Sequence, residues 1–177
     1  LRELRGEFVL AVWDGRDGSV LVGTDRFRVH PMFYYRDADK FVFASRLRSL
    51  RAAPVPLSLS IDPEAIVQIV GSSVVPTPGT IFREVKKLPP GNFLVYRRGE
   101  VSLAPYWEID FRPAARAREA RLASELRERF SEALSVRLES EVSPDKIGTY
   151  LSGGIDSSTV TGVLTRLTGG PVNSFSI

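Results

Sequence analysis

A turn near the end of the chain holds the residue types that bind phosphate groups. Residues 152–158 read Ser-Gly-Gly-Ile-Asp-Ser-Ser. The two glycines let the backbone approach a ligand closely, and the serine hydroxyls add hydrogen-bond donors to the backbone N–H groups. The turn is therefore predicted to form a cup of donors about the size of a pyrophosphate.

Asp156 is the one carboxylate of this turn. A carboxylate repels a bare polyphosphate, so we expect Asp156 to face a Mg²⁺ ion that the phosphates share. The turn lacks the Gly-Lys-Ser/Thr ending of a Walker A loop, and the Gly-x-Gly-x-x-Gly fingerprint of dinucleotide sites is absent. The alternative is that Asp156 or Ser157 is an ordinary helix cap, and both interpretations can hold at once.

The elements on either side would hold the turn in place. Lys146 to Leu151 is predicted to be a short strand, and apolar residues at helical spacing predict a helix from Ser157 to Leu167 that ends at Gly169. The next strand is predicted to begin at Val172. Such a strand-helix-strand unit joins parallel neighbours, and phosphates bind where its first strand meets its helix.

A longer helix is predicted before this unit. Between Arg116 and Glu141 a leucine or phenylalanine recurs every fourth residue, as in an amphipathic helix with a solvated charged face. Pro113 marks a boundary. We therefore predict one domain over residues 1–113 and a second over residues 114–177.

The first of these domains has the pattern of an antiparallel sheet. Aromatic and β-branched runs alternate with Gly- or Asp-rich turns, which predicts hairpins over Phe8 to Val22, Phe33 to Phe43 and Asn92 to Pro105. The aromatic residues are interpreted as core rather than as a platform for stacking bases.

The segment between the second and third hairpins is predicted to contain one helix and a long connection. Asp62 followed by Pro63 predicts the start of a helix that runs to Val70 and is ended by Gly71. Residues 75–91, rich in proline and glycine, are predicted to be a long irregular connection.

Composition limits the classes of function. The 177 residues are 43% hydrophobic and 25% charged, as in ordinary globular proteins. The 24 basic and 21 acidic residues are interleaved, so no nucleic-acid partner is expected. No apolar run approaches the ~20 residues that cross a bilayer, so we expect no membrane partner and a cytoplasmic location. The sequence has no cysteine, which excludes disulfides and a cysteine nucleophile within it.

The chain resembles the glutamine-hydrolysing asparagine synthetases. Residues 152–158 are similar to the SGGxDSS pyrophosphate loop of the ATP pyrophosphatase superfamily. Leu4 to Asp14 resembles the LxGxFAFALWD strand of the family's glutaminase domain, Asp25 to Tyr35 its RDxxGxxPLYY segment and Phe41 to Ser45 its FASE segment. Shorter matches resemble the connection to the synthetase half: residues 80–82, 87–91 and 106–107.

The resemblance implies an α/β fold in two parts. The first is the antiparallel-sheet portion of an N-terminal-nucleophile (αββα) glutaminase domain. The second is the first βαβ unit of a Rossmann-like, adenine-nucleotide-binding parallel sheet. Asp156 is implied to associate with Mg²⁺, and Leu151 and Ile177 to line the adenine. Taken with the turn itself, the expected ATP-binding residues are Leu151, Ser152, Gly153, Gly154, Asp156, Ser157, Ser158 and Ile177.

The resemblance also implies an activity for the whole protein. Such a ligase takes ammonia from glutamine and activates aspartate with ATP as an acyl-adenylate. Ammonia then displaces AMP to give asparagine, and pyrophosphate is the other product. ATP, glutamine and aspartate are thus the expected small-molecule partners, and a homodimer is compatible with this reading.

The sequence departs from the family pattern at several points. The family's N-terminal cysteine nucleophile and its glutamine-binding residues lie before the segment that corresponds to Leu1. We therefore expect a piece of a longer protein that has no catalytic residue of its own and no activity alone. Thr24 stands where the family usually has Arg, and Arg28 where it usually has Gly. The turn there is expected to be rearranged, or the subfamily differs.

Two alternative functions stay open. Related ATP-dependent amide ligases without a working glutaminase, of the β-lactam synthetase or lasso-peptide cyclase type, use an internal amine. The second alternative is a noncatalytic interaction domain in which the turn at residues 152–158 binds no nucleotide. GMP and NAD synthetases share the loop but lack the upstream hairpins. The single histidine, His30, is expected to have a packing or surface role.

Overall fold

A computed structural model describes residues 1–111, 118–138, 143 and 146–176. The chain divides into two compact units, Leu1–Phe111 and Arg112–Ile177. The predicted boundary at residue 113 lies outside the described residues. The elements in chain order are β1 (Val9–Asp14), β2 (Ser19–Thr24), β3 (Phe33–Arg36), β4 (Phe41–Ala44), α1 (Leu47–Arg51), α2 (Pro63–Ser72), β5 (Val85–Lys87), β6 (Asn92–Arg97), β7 (Glu100–Pro105), α3 (Glu119–Leu138), β8 (Gly148–Tyr150), α4 (Ile155–Thr168) and β9 (Asn173–Phe175).

The first unit contains a four-stranded antiparallel sheet in the order β1-β2-β6-β7. Two of the predicted hairpins, β1–β2 and β6–β7, form its outer pairs, and β2 pairs with β6 through Leu21 and Val95. Arg98 and Gly99 close the β6–β7 hairpin with φ of 50° and 82°. Positive φ at both central residues is the type I′ geometry, whose twist matches that of the paired strands.

A second antiparallel sheet has the order β4-β3-β5. The hairpin β3–β4 confirms the hairpin predicted over Phe33 to Phe43, and in it Tyr34 lies opposite Phe43. The prediction that residues 75–91 form an irregular connection is wrong for β5, which pairs with β3. The cause is tertiary, because the strand is fixed by the complete burial of Val85, and the two lysines that follow hide the apolar pattern of a strand.

Residues of both sheets build one core. Val22 and Leu94 of the four-stranded sheet are buried together with Met32 and Leu88, and the Phe41 and Tyr96 rings stack 4.6 Å apart against them. The expectation that the hairpin aromatic residues form core is confirmed for Phe41 and Tyr96, whereas Trp13 in β1 is 72% exposed.

The other face of the three-stranded sheet is covered by α1, an element that the sequence did not predict. Tyr35 and Val85 pack there against Leu50 of α1. The helix has only five residues and its sequence is rich in arginine, so a single buried leucine fixes it. No local pattern of helical period is long enough to reveal it.

Helix α2 begins where the sequence predicts. Asp62 caps it by accepting a 3.1 Å hydrogen bond from the Glu64 N–H, and Pro63 takes the first helical position. The predicted stop at Gly71 is wrong: the helix continues to Ser72, and Ser73 ends it with φ of 59°. Serine takes the left-handed cap position here, which glycine usually occupies.

The second unit contains α3, then the parallel pair β8–β9 with α4 between the two strands in sequence. Of its described residues, only Thr149 and Leu164 are buried. The predicted helix ends at Arg116 and Glu141 lie outside the described residues. Helix α4 starts at Ile155, two residues before the predicted Ser157, because Gly154 takes the cap position. A larger Rossmann-like sheet stays a prediction. None of the described helices is long and apolar enough to span a bilayer.

Candidate functional site

The turn at residues 152–158 follows the end of β8 and includes the first four residues of α4. The Leu151 N–H donates to the Phe175 carbonyl at 2.8 Å, so the parallel pairing extends one residue beyond the strand. Gly153 then has φ of 80°, a conformation that L-amino acids with a Cβ avoid. The glycine reverses the chain so that α4 begins directly after the strand edge.

Hydrogen bonds inside the turn centre on the Ser157 side chain. Its Oγ accepts from the Ser152 N–H at 3.2 Å, donates to the Gly154 carbonyl at 3.2 Å and lies 3.1 Å from Ser152 Oγ. The sequence predicts that the serine hydroxyls face a ligand. Two of them instead bond each other and hold the turn together, so the available donors are mainly backbone N–H groups.

The N-terminus of α4 supplies those donors. Gly154 is the N-cap and gives no side-chain cap, and the first helical hydrogen bond runs from the Ser158 N–H to the Gly154 carbonyl at 3.1 Å. The N–H groups of residues 155–157 therefore have no acceptor within the helix. Together with the positive end of the helix dipole, they favour an anion at this position.

Asp156 lies in the first turn of α4 with an exposed side chain. Across the described residues, no three His, Cys, Asp or Glu side chains are grouped so that they could hold a metal ion. Mg²⁺ is commonly held by one or two carboxylates plus phosphate oxygens rather than by a cage of protein ligands. A lone carboxylate beside free N–H donors fits a Mg²⁺ ion that arrives with a polyphosphate.

The predicted site residues form one continuous segment. Leu151 and Ser157 are partly buried, whereas the others from Ser152 to Ser158 are exposed. Ile177 lies outside the described residues. Sequence reasoning missed two residues beneath the turn, Thr149 in β8 and Thr161 in α4, whose hydroxyls are 3.0 Å apart. Their only signal in the sequence is a hydroxyl at the centre of a strand and another four residues after Ser157.

A second turn that the sequence singled out, residues 24–31, lies in the first unit. Asp25 is 2% exposed, and its carboxylate accepts from the Phe27 and Val29 N–H groups at 2.9 to 3.2 Å. The fully buried Thr24 donates from Oγ1 to the His30 carbonyl at 3.1 Å. Both side chains are thus used to hold the turn closed.

Arg28 accommodates the change from the family's glycine without abandoning a glycine-like backbone. Its φ is 52°, and its Nη1 donates to Thr77 Oγ1 at 2.7 Å. Lys87 also reaches the segment that contains Thr77, where its Nζ donates to the Val75 carbonyl at 2.5 Å. Burial lowers the pKa of Arg28, and burial together with the Arg28 charge lowers the pKa of Lys87. The turn therefore keeps a positive φ at residue 28, and two partly desolvated cations, Arg28 of the turn and Lys87 of β5, reach residues 75–77.

Comparison with known proteins identifies two matching families. Residues 1–107 match the family described as a glutamine amidotransferase domain, and residues 125–177 match the asparagine synthase family. Asparagine synthetase [glutamine-hydrolyzing] 1 of Bacillus subtilis is 33% identical over 162 residues, which are 91% of this chain and 25% of that protein.

Two further relatives widen the comparison. Putative asparagine synthetase [glutamine-hydrolyzing] 2 of Methanocaldococcus jannaschii is 29% identical over 182 residues, covering 100% of this chain and 34% of that protein. Amidase chry2 of Gibberella zeae is 31% identical over 173 residues, covering 94% of this chain and 24% of that protein. The chain thus spans about a quarter to a third of these relatives. With the first unit matching an amidotransferase domain and the second an asparagine synthase, the chain belongs to the glutamine-hydrolysing asparagine synthetase family.

Proposed function

We propose that this chain holds the pyrophosphate portion of ATP in a ligase that makes asparagine from aspartate. The observation that carries the proposal is the turn at residues 152–158. It places Gly153, at φ of 80°, and the uncapped start of α4 at the end of a parallel strand. Free N–H donors at that position match the charge of a polyphosphate.

The proposed reaction needs donors at the leaving group. The side-chain carboxylate of aspartate attacks the α-phosphorus of ATP, and the bond from that phosphorus to the bridging oxygen breaks to release pyrophosphate. Ammonia then attacks the carbonyl carbon of the acyl-adenylate, AMP leaves and asparagine forms. The N–H groups of residues 155–157 stabilise the negative charge that develops on the departing pyrophosphate. Asp156 would hold the Mg²⁺ ion that neutralises phosphate charge.

The first unit is proposed to serve the same reaction as part of a glutaminase. Its match to an amidotransferase domain supports glutamine as the source of ammonia. The sequence has no cysteine, so no residue of this chain is proposed as the glutaminase nucleophile, and we expect no activity from residues 1–177 alone. A homodimer in the cytoplasm completes the proposal.

The test is aspartate-dependent exchange of labelled pyrophosphate into ATP by the intact protein. Gly153 and Gly169 have φ of 80° and 70°, and a Cβ at either position would meet no atom within 4 Å. Gly153→Ala and Gly169→Ala therefore introduce the same backbone strain, about 1–2 kcal/mol, at opposite ends of α4. We expect Gly153→Ala to lower exchange at least tenfold and Gly169→Ala to leave it within about twofold. Equal losses would show that the turn has no special role.

A second candidate is a related amide ligase with a different product, since not every similar protein is named an asparagine synthetase: chyE of Penicillium rubens, at 30% identity, is named an amidase. In this case the same turn binds ATP, but the carboxylate substrate is not aspartate and an internal amine can replace ammonia. Pyrophosphate exchange that needs another carboxylate, and that Asp156→Ala abolishes, favours this candidate. Pyrophosphate exchange that depends on aspartate favours the asparagine-forming ligase. If the intact protein does not bind ATP, both ligase candidates are contradicted and a noncatalytic interaction domain is the remaining alternative.

A further inference from the structure

Two threonines join β8 to α4 beneath the turn at residues 152–158. Thr161 Oγ1 lies 3.0 Å from Thr149 Oγ1 and 2.9 Å from the Ser157 carbonyl oxygen. Thr149 is only 6% exposed, and within the described part of the second unit it is the one buried polar residue. A buried hydroxyl without a partner is costly, so the two hydroxyls fix the distance between strand and helix.

The hydrogen bonds continue from Thr161 into the turn. Thr161 bonds to the backbone of Ser157, and the Ser157 side chain bonds to the Ser152 N–H and the Gly154 carbonyl. Ser152 is in turn connected through the chain to Thr149, three residues earlier. The contacts therefore form a closed ring that includes the end of the strand, the turn and the first two turns of the helix.

Thr161 differs from the other threonines of α4. Thr159, Thr165 and Thr168 each donate to a carbonyl four residues earlier at 2.7 to 3.0 Å, an ordinary bond for a helical threonine. Thr161 makes the same bond and also reaches a side chain of β8. Among the threonines of α4, the strand contact is specific to this one.

We propose that Thr161 and Thr149 are positioning residues for the phosphate-binding turn. They act through Ser157 and set the direction of the N–H groups of residues 155–157. The inference rests on the proposed function. Because reacting groups displaced by about 1 Å can lose on the order of 100-fold in rate, a small shift of α4 along β8 has a large effect on pyrophosphate release.

Three variants of the intact protein separate this role from a general loss of structure. Thr161→Val removes the hydroxyl at nearly constant volume, and Thr161→Ser restores it. Thr165→Val, one turn further along α4, removes a hydroxyl that bonds only within the helix. We expect Thr161→Val to lower kcat for pyrophosphate exchange about 10- to 100-fold with a smaller change in KM for ATP. Thr161→Ser and Thr165→Val should stay within about threefold of the unmodified protein.

Amide hydrogen exchange without ATP provides a second measurement. The Ser152 N–H bonds to Ser157 Oγ and the Ser158 N–H to the Gly154 carbonyl, so both amides report on the ring. They should exchange faster in Thr161→Val and in Thr149→Val than in Thr165→Val. Equal amide exchange in Thr161→Val, Thr149→Val and Thr165→Val would overturn the positioning role, and so would equal kcat losses in Thr161→Val and Thr161→Ser. If the unmodified protein exchanges no pyrophosphate while these amides respond, the proposed function fails and the positioning of the turn stands.

Discussion

Gly91 offers a direct test of how the first unit is held together. Its φ is 65°, and a Cβ at this position would lie 2.5 Å from the Trp107 carbonyl oxygen. The Gly91 N–H donates to the Asp25 carbonyl at 3.0 Å, and its own carbonyl accepts from the Tyr106 N–H at 2.9 Å. Gly91 therefore joins the turn at residues 24–31 to the segment after β7, and no room remains there for a side chain.

Gly99 is the matched control for Gly91→Ala. Its φ is 82°, but a Cβ there would meet no atom within 4 Å. Alanine at either position pays about 1–2 kcal/mol for the left-handed backbone. At Gly91 the clash adds about 1–3 kcal/mol of overpacking. Gly91→Ala should therefore lower the free energy of unfolding by about 1–3 kcal/mol more than Gly99→Ala does.

Tryptophan fluorescence can measure this difference in the free energy of unfolding of the first unit. Both tryptophans of the chain, Trp13 and Trp107, lie in the first unit, so urea unfolding followed by their emission reports on that unit. With a slope of about 1–3 kcal/mol/M, the urea midpoint of Gly91→Ala should fall about 1 M below that of Gly99→Ala. A midpoint for Gly91→Ala at or above that of Gly99→Ala would refute the close packing against Trp107.

Three further predictions concern the first unit. Arg98→Asn should raise its free energy of unfolding by about 0.5–1 kcal/mol, because asparagine tolerates the positive φ of a type I′ turn better than arginine; an unchanged urea midpoint would contradict this. Arg28→Gly should raise the pKa of Lys87 toward its ordinary value by removing a neighbouring positive charge, as NMR titration of the lysine side chains can show; a constant pKa would count against that electrostatic coupling. Tyr35→Phe removes a 2.8 Å hydrogen bond from the Tyr35 hydroxyl to Asp37, the main cause that lowers the pKa of that carboxyl. A carboxyl group whose pKa is lowered by folding stabilises the folded state at pH values above its unfolded pKa of about 3.9. The difference in free energy of unfolding between the unmodified protein and Tyr35→Phe, measured in urea, should therefore be full at neutral pH and shrink below about pH 4. A difference that does not vary with pH would argue against this role of the hydrogen bond.

The hairpins could be predicted because their signals are local. Alternating apolar residues and a turn such as that at residues 98–99 specify a pair of strands without information from elsewhere. Strand β5 and helix α1 could not be predicted in this way. Each is fixed mainly by a single buried side chain, Val85 or Leu50, and burial depends on residues distant in the sequence.

In the candidate site, too, the local features could be predicted from the sequence and the contacts between distant residues could not. The type and order of residues 152–158 predicted a turn between a strand and a helix, because glycines and a following apolar period are readable locally. The sequence could not show that Ser157 bonds to Ser152, nor that Thr149 meets Thr161. These contacts depend on how far the helix is shifted along the strand, a distance that only the folded chain defines.

The short parallel pair β8–β9 has a consequence for handling the chain. Within the described residues neither strand has a second neighbour, and Tyr150 and Phe175 are 79% and 59% exposed on them. Open strand edges with aromatic side chains are templates onto which another strand can add. When the 177-residue chain is concentrated, residues 148–150 and 173–175 should therefore be sites of self-association.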